Sequence, residues 1–250
     1  MATSNSTASA SQIQSSISST PFVAAEHMND GKRHLLLAAS GSVATIKLPN
    51  IAQALSRHPN LSIRILVTQS AEKFLIGQSA EQPHLESLQS IPNVDGIYRD
   101  EDEWTSPWTR GGGILHIELR RWADMLVIAP LSANTLAKVV VGLADNLLTS
   151  VVRAWDTTGL IDPVCGKKRI IVAPAMNTAM WRHPITKQQI RVLEEDWGVD
   201  GGQDGWYEVL RPMEKELACG DIGDGAMKDW REIVDIIEQR LNLSTSAPAS

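Results

Sequence analysis

The sequence predicts a single α/β domain whose parallel sheet is covered by helices on both faces. Two observations carry the prediction. Four short, largely apolar runs lie at residues 34–39, 62–67, 125–129 and 169–173, as expected of strands buried on both sides. Amphipathic stretches of helical period lie between them, and that alternation calls for crossover helices packed on a parallel sheet. A chain of 250 residues with 43% hydrophobic and 21% charged content closes one full core without a metal or disulfide staple.

In chain order, residues 1–31 are rich in Ser, Thr, Ala and Gln and read as a disordered tail. The folded domain is expected over 32–241, with a second short tail at 242–250. The strand 34–39 leads into a small-residue turn and a helix over 46–55, in which Pro49 is expected to produce a kink. A second strand, 62–67, follows, and then a polar segment at 100–113 containing Trp104 and Trp108. Eight tryptophans stand beside two Phe and two Tyr, and these two have no evident core to join; an oligomer contact or a lid over a flat ligand would use them. The periodicity gives a short helix over 114–122 and the strand 125–129. A long helix over 145–155 is apolar along Leu147, Leu148, Val151, Val152 and Trp155. The strand 169–173, a helix over 186–197 closed by Gly198 and a last helix over 229–241 complete the domain.

A net charge of −6 leaves no basic face to release counterions, which argues against nucleic acid as a partner. The longest apolar runs fall far short of the ~20 residues that span a bilayer, so no membrane association is expected. The N-terminus lacks the basic and apolar regions of a secretory signal, and no Arg precedes Arg33, against a transit peptide. Two cysteines, Cys165 and Cys219, cannot make a disulfide framework and point to a reducing, cytoplasmic setting. Neither they nor the six histidines fall at metal-ligand spacing.

Ligands of parallel sheets bind at the carboxyl ends of strands near a reversal of strand order. The loops that follow strands therefore carry the candidate chemistry. Ala39-Ser-Gly-Ser-Val43 opens a helix with free amides that suit a phosphate, although a plain tight turn accounts for it equally. Pro130-Leu-Ser-Ala-Asn-Thr135 places Ser132, Asn134 and Thr135 at a helix start, more polar groups than a cap uses. Pro174-Ala-Met-Asn-Thr-Ala-Met-Trp181 offers Asn177, able to donate two hydrogen bonds to a carboxylate, between apolar side chains that would serve a core as readily. Leu217-Ala-Cys-Gly-Asp-Ile-Gly-Asp-Gly-Ala-Met227 sets Cys219 ahead of three glycines in six residues, the composition of a mobile flap over a substrate. His116, just after Gly111-Gly-Gly113, is a candidate acid or base, though a lone helical His is more often structural.

Five segments in order, Gly41-Ser-Val-Ala-Thr-Ile-Lys47, Leu115-His-Ile-Glu-Leu-Arg-Arg-Trp-Ala-Asp124, Ala129-Pro-Leu-Ser-Ala-Asn-Thr-Leu-Ala-Lys138, the 174–181 loop and Ala218-Cys-Gly-Asp-Ile-Gly-Asp-Gly-Ala-Met227, resemble the phosphopantothenoylcysteine decarboxylase family. That family includes the plant and fungal halotolerance flavoproteins, and the resemblance runs from residue 33 to residue 240 or so. It implies a flavodoxin-like, Rossmann-like three-layer fold that binds FMN. It also implies FMN-dependent decarboxylation of 4′-phosphopantothenoylcysteine to 4′-phosphopantetheine in coenzyme A biosynthesis. A homotrimer with the flavin at the subunit interface is implied as well, which would give Trp104, Trp108 and the 145–155 helix a reason to be there.

By similarity, Gly41, Ser42, Val43, Thr68, Ser70, Ser132, Ala133, Asn134, Thr135 and Ala173 hold FMN. Asn177, Met176 and Arg121 bind the substrate, the first two at its carboxylate. His116 resembles the base for a sequence in which oxidation of the thiol to a thioaldehyde puts the carboxylate β to a C=S electron sink. Cys219 looks like the donor of the proton that turns the resulting ene-thiol into the saturated product. Related peptidyl-cysteine decarboxylases lack this cysteine and stop at the ene-thiol.

Residues 157–168 and 200–207 read as insertions relative to that family. Some fungal relatives split the active site between unlike subunits; His116, Asn177 and Cys219 together imply a self-sufficient homotrimer here. The rival reading is a regulatory protein that binds and inhibits a Ser/Thr protein phosphatase, a role that goes in fungal relatives with long Ser-rich heads and acidic tails. This chain has a short Ser-rich head and no acidic tail. A flavin prenyltransferase or simple flavin dehydrogenase would not need both the 174–181 loop and Cys219.

Overall fold

Six strands form one parallel sheet: β1 (Arg33–Ala39), β2 (Leu61–Val67), β3 (Val94–Tyr98), β4 (Met125–Leu131), β5 (Arg169–Pro174) and β6 (Tyr207–Val209). The computed structural model describes residues 22–105, 107–162, 166–200, 204–216 and 222–243. The strand order is β3-β2-β1-β4-β5-β6, the doubly wound order of nucleotide-binding sheets. Register runs unbroken from Arg33↔Leu61 to Ala39↔Val67, and from Leu35↔Met125 to Ala38↔Ile128. The order reverses between β1 and β4, so their carboxyl ends diverge and leave a crevice.

All four expected strands are present, and two further strands lie at the edges. In β3 the sequence Val-Asp-Gly-Ile-Tyr is half-exposed, so it lacks the continuous apolar run of a central strand. The other edge strand, β6, has only three residues and begins at Tyr207, inside the segment read as an insertion at 200–207. Tyr207 is buried and pairs with Ile170, so the end of that segment closes the sheet.

The helices are α1 (Leu48–Leu55), α2 (Leu115–Trp122), α3 (Ala133–Val141), α4 (Leu147–Arg153), α5 (Pro184–Arg191) and α6 (Trp230–Leu241). The expected kink at Pro49 does not occur. A 3-10 turn over Val43–Lys47 precedes α1, and Pro49 falls in the first turn of the helix, where its missing N–H removes no hydrogen bond. The expected helix over 145–155 is shorter, because Asn146 caps it: its Oδ1 accepts from Thr149 N–H at 2.8 Å, and Thr149 Oγ1 accepts from Asn146 N–H at 3.2 Å. The helix expected over 186–197 starts earlier, at Pro184, and passes into a π turn over Val192–Asp196. Gly198 does end it, because a Cβ there would fall 1.9 Å from the Glu194 carbonyl oxygen.

Two apolar layers follow from the period of two along each strand. Leu35, Leu37, Ile63, Ile65, Val127 and Ile171 pack with α1 and α6 on one face. Leu36, Ala38, Leu126, Ile128, Ile170 and Val172 pack with α2 to α5 on the other. The three-layer α/β arrangement expected from the sequence is therefore the observed one.

The domain begins earlier than residue 32. Ala24, in a 3-10 turn over Ala24–His27, is 5% exposed. The ring of Phe22 lies under the buried Arg64 guanidinium, with Cζ 3.9 Å from its centroid. At the other end Asn242 caps α6 in the left-handed region and Leu243 is buried. No described helix is long and apolar enough to cross a membrane, and no cluster of metal-ligating side chains occurs among the described residues.

Candidate active site

Three strand-to-helix turns meet where the strand order reverses. Ser40, directly after β1, is fully buried and joins the turn after β4. Its N–H and Oγ–H donate to the Pro130 carbonyl at 3.0 and 3.1 Å, and its Oγ accepts from Ser132 N–H at 2.8 Å. Ser132 in turn caps α3, accepting from Thr135 N–H at 3.3 Å with Thr135 Oγ1 at 3.2 Å. These buried hydroxyls are largely spent on one another. Asn134, exposed between Ser132 and Thr135, is the polar side chain of this loop outside the network, and Ala133 beside it is half-buried. Ala173 is fully buried near the end of β5.

The turn after β2 closes against the turn after β1. Thr68 Oγ1 accepts from Ala71 N–H at 3.3 Å and lies 3.2 Å from the exposed Ser70 hydroxyl. A Cβ on Gly41 would fall 2.4 Å from Ser70 Oγ, so only glycine lets the two turns approach. Ser42 is extended at φ −143 and ψ 151, and Val43 beside it is exposed. Gly41, Ser42, Val43, Thr68 and Ser70 are thus brought together on one rim.

His116 reaches the same edge by topology. Its helix α2 connects the parallel strands β3 and β4, so it runs against them and its first turn lies at their carboxyl ends. His116 Nδ1 is 2.9 Å from Glu103 Oε1. The Glu103 side chain is 5% exposed, held in a 3-10 turn over Asp100–Trp104. Sequence reasoning missed Glu103, because four acids in a row read as a solvated face. Nearby, burial and then Glu101 push the Glu72 carboxyl up, with Arg99 pulling the other way.

Arg121 lies five positions beyond His116, about 140° around the helix, so the two do not share a face. Its guanidinium is half-exposed and donates to Glu118 Oε1 at 3.0 Å, while Glu118 Oε2 accepts from Ala24 N–H at 2.8 Å.

On the other side of the reversal, Asn177 caps the single turn Thr178–Trp181: its Oδ1 accepts from Met180 N–H at 2.8 Å. Its NH2 group makes no hydrogen bond among the described residues. Met176 beside it is buried, and its N–H donates to the Gly225 carbonyl at 3.0 Å. Gly225 belongs to an antiparallel hairpin of β7 (Met213–Glu216) and β8 (Ile222–Ala226). A Cβ on Gly223 would fall 1.7 Å from Thr178 Oγ1, and one on Gly225 would fall 2.2 Å from the Met176 carbonyl oxygen. These glycines let the hairpin lie backbone to backbone on the Asn177 loop, a role the composition of a flexible flap did not reveal. Cys219 lies outside the described residues, between β7 and β8. A cleft of 380 Å³ opens beside the Asn177 turn, lined by Trp181, Arg182, Lys187, Ile190, Arg211 and Asp224.

The fold does not join every candidate. His116, on the β3 side, and Asn177, on the β5 side, are separated by the reversal, and no hydrogen bond connects them among the described residues.

The chain is similar to a phosphopantothenoylcysteine decarboxylase of Arabidopsis thaliana, 45% identical over 199 residues that cover 79% of this chain and 80% of that one. Among solved structures it resembles a PPC decarboxylase variant complexed with pantothenoylaminoethenethiol, with TM-score 0.67, 42% identity and coverage of 84% of this chain and 99% of the other. It also resembles the FMN binding protein AtHal3, with TM-score 0.65, 41% identity and coverage of 86% and 99%. Two longer relatives, from Saccharomyces cerevisiae and Schizosaccharomyces pombe, are matched over only 34% and 30% of their length. The family model described as Flavoprotein matches residues 23–242, nearly the whole described domain, and the chain belongs to that family.

Proposed function

We propose that this flavoprotein binds FMN and decarboxylates 4′-phosphopantothenoylcysteine to 4′-phosphopantetheine in coenzyme A biosynthesis. One observation carries the reading: the β7–β8 hairpin lies backbone to backbone on the loop whose Asn177 amide donors make no hydrogen bond among the described residues. That pairing sets Asn177 beside the hairpin whose two strands flank Cys219 in the sequence.

The residues at the strand-order reversal fit a flavin mononucleotide. Gly41 and Ser70 form a cradle that a Cβ would fill, and a crevice of this kind is where parallel sheets take nucleotides. Gly41, Ser42, Val43, Thr68, Ser70, Ser132, Ala133, Asn134, Thr135 and Ala173 would hold the group, Ser132 and Thr135 chiefly through the backbone they shape. Bound flavin supplies the electron exchange that makes the carboxylate a leaving group. The protein supplies the remainder. Asn177 NH2 donates to the substrate carboxylate beside Met176, His116 takes a proton from the substrate, and Cys219 returns one to carbon at the end. The cleft with Arg182 and Lys187 suits the phosphorylated arm.

A homotrimer is part of the proposal: it would let a neighbouring protomer bring together the His116 and Asn177 sides that are separated within one chain. Exposed Trp104, Trp108, Val141 and Leu143 support such contacts, and the exposed Arg121 would then serve a neighbour's site. Two cysteines in 250 residues support a cytoplasmic protein.

The test is direct. Purified protein should be yellow and should convert 4′-phosphopantothenoylcysteine to 4′-phosphopantetheine with release of CO2. Colourless protein that FMN cannot reconstitute, or a yellow protein inert toward this substrate, would overturn the proposal.

A further inference from the structure

Glu103 is buried for a reason that a solvated acidic run does not supply. Its turn is fixed at three points: Asp102 accepts from Arg99 N–H at 2.7 Å, and the Asp100 carboxylate accepts from Gln69 N–H at 3.1 Å and from Leu147 N–H at 3.2 Å. Asp100 therefore moors the turn to the segment after β2 and to the start of α4, while Asp102 closes the turn on itself. This holds Glu103 against α2, where its Oε1 meets His116 Nδ1 at 2.9 Å. Its second oxygen, Oε2, is buried with no hydrogen-bond partner among the described residues. A buried carboxylate with an unsatisfied oxygen is destabilising by itself, and its single bond is to the ring of His116.

An ionised carboxylate only accepts hydrogen bonds. The imidazole nitrogen facing it must therefore carry a proton, and in the neutral ring the other nitrogen is bare. We propose that Glu103 is the positioning residue of His116. It fixes the ring with hydrogen on Nδ1 and makes Nε2 the atom that takes up the substrate proton. This rests on the decarboxylase reading for the identity of that proton's donor, and on the geometry alone for the tautomer. In the step itself a substrate X–H bond breaks, its electrons stay on X, and an N–H bond forms at Nε2. Glu103 takes no proton. It stays ionised beside the new imidazolium and balances its charge where water is scarce.

The experiment is long-range proton–nitrogen NMR on flavin-loaded protein labelled with 15N-histidine, the His116 signals being identified by their loss in His116→Asn. The expected result is a neutral ring protonated on Nδ1 with a bare Nε2. In Glu103→Gln the amide can donate as well as accept, so the tautomers should mix. Its kcat should fall about 10- to 100-fold while KM changes less than about 3-fold and the flavin stays bound. A wild-type ring protonated on Nε2 overturns the proposal without any variant. Unchanged tautomer and kcat in Glu103→Gln, with only a lower melting temperature, would leave Glu103 a purely structural role and also overturn it. If the protein fails to decarboxylate this substrate, the NMR result still decides the tautomer.

Discussion

Arg182 Nε–H points between the two carboxylate oxygens of Asp224, at 3.2 and 3.1 Å, and so links the β7–β8 hairpin to the turn capped by Asn177. The Arg182 side chain is 68% exposed, and an exposed pair of this kind contributes only about 0.2–1 kcal/mol. It cannot be what seats the hairpin. The close approaches at Gly223 and Gly225 are the stronger candidates, because a methyl group placed 2.2 Å from the Met176 carbonyl oxygen must push one segment away.

Gly225→Ala should therefore lower kcat by roughly tenfold or more, while flavin content stays near wild type because the cradle lies across the reversal. Arg182→Ala should change kcat less than about threefold. Steady-state kinetics on the two purified variants compare them. Equal effects would mean that the ion pair, not the close approach, holds the hairpin.

The chemistry proposed for the two ends of the reaction separates by substitution. His116→Asn should abolish turnover with flavin still bound. Cys219→Ser should still release CO2 but accumulate the oxidised ene-thiol with the flavin left reduced. A mass spectrum of the product distinguishes the outcomes, and normal turnover by Cys219→Ser removes that residue from the final protonation.

The central sheet was legible because burial on both faces forces continuous apolar runs, as in Leu35–Leu37 and Ile65–Val67. The edges were not. Val94–Tyr98 is interrupted by Asp95 and Gly96, and Tyr207–Val209 is too short to show a period. The site loops were legible as polar or glycine-rich breaks after strands, but what each side chain does depends on partners far away in sequence. Ser132 and Ser40 meet across 92 positions, and Gly225 faces Met176 from a different element. Glu103 was hidden among other acids. Of the expected tail, residues 1–21 lie outside the described residues; residues 22–31 pack on the domain despite a tail-like composition, through Phe22 and His27 at Arg64 and Ala24 at α2.

That N-terminal segment gives a pH-dependent prediction. Burial and then the Arg64 charge hold the His27 imidazole below its ordinary value of 6.5, against the opposing pull of Asp30 and Asp95 and with His34 adding to the lowering. The unfolded chain thus binds this proton more readily than the folded one, and stability from the docked segment is present above 6.5 and lost as pH falls below it. His27→Gln stays neutral throughout. The stability of wild type relative to His27→Gln should fall between about pH 7.5 and about pH 5.5, read from urea unfolding at each pH. A constant difference would show that protonation of His27 does not weaken the docked segment.

The segment read as an insertion at 157–168 is anchored by buried charge. Asp162 Oδ1 lies 3.1 Å from Arg120 Nη1, and its Oδ2 lies 3.5 Å from Lys168 Nζ, with all three residues buried. Lys168 also donates to the carbonyls of Arg120 and Arg121 at the end of α2, at 3.2 and 2.9 Å. Burial lowers the Lys168 pKa and Asp162 only partly restores it. For a lysine lowered in the folded state, the unfolded chain holds the proton to higher pH, so stability rises with pH through the window below the ordinary 10.5. Asp162→Asn leaves two buried cations without their counter-ion and should cost about 3–5 kcal/mol near neutral pH. The deficit should narrow as pH approaches 10.5, because Lys168 can shed its proton, but not close, because Arg120 keeps its charge. Urea unfolding of wild type and Asp162→Asn at pH 7 and at about pH 10 measures both quantities. A deficit that does not depend on pH would mean that the cost lies in lost packing or hydrogen bonds, and that Lys168 is already neutral in the folded protein.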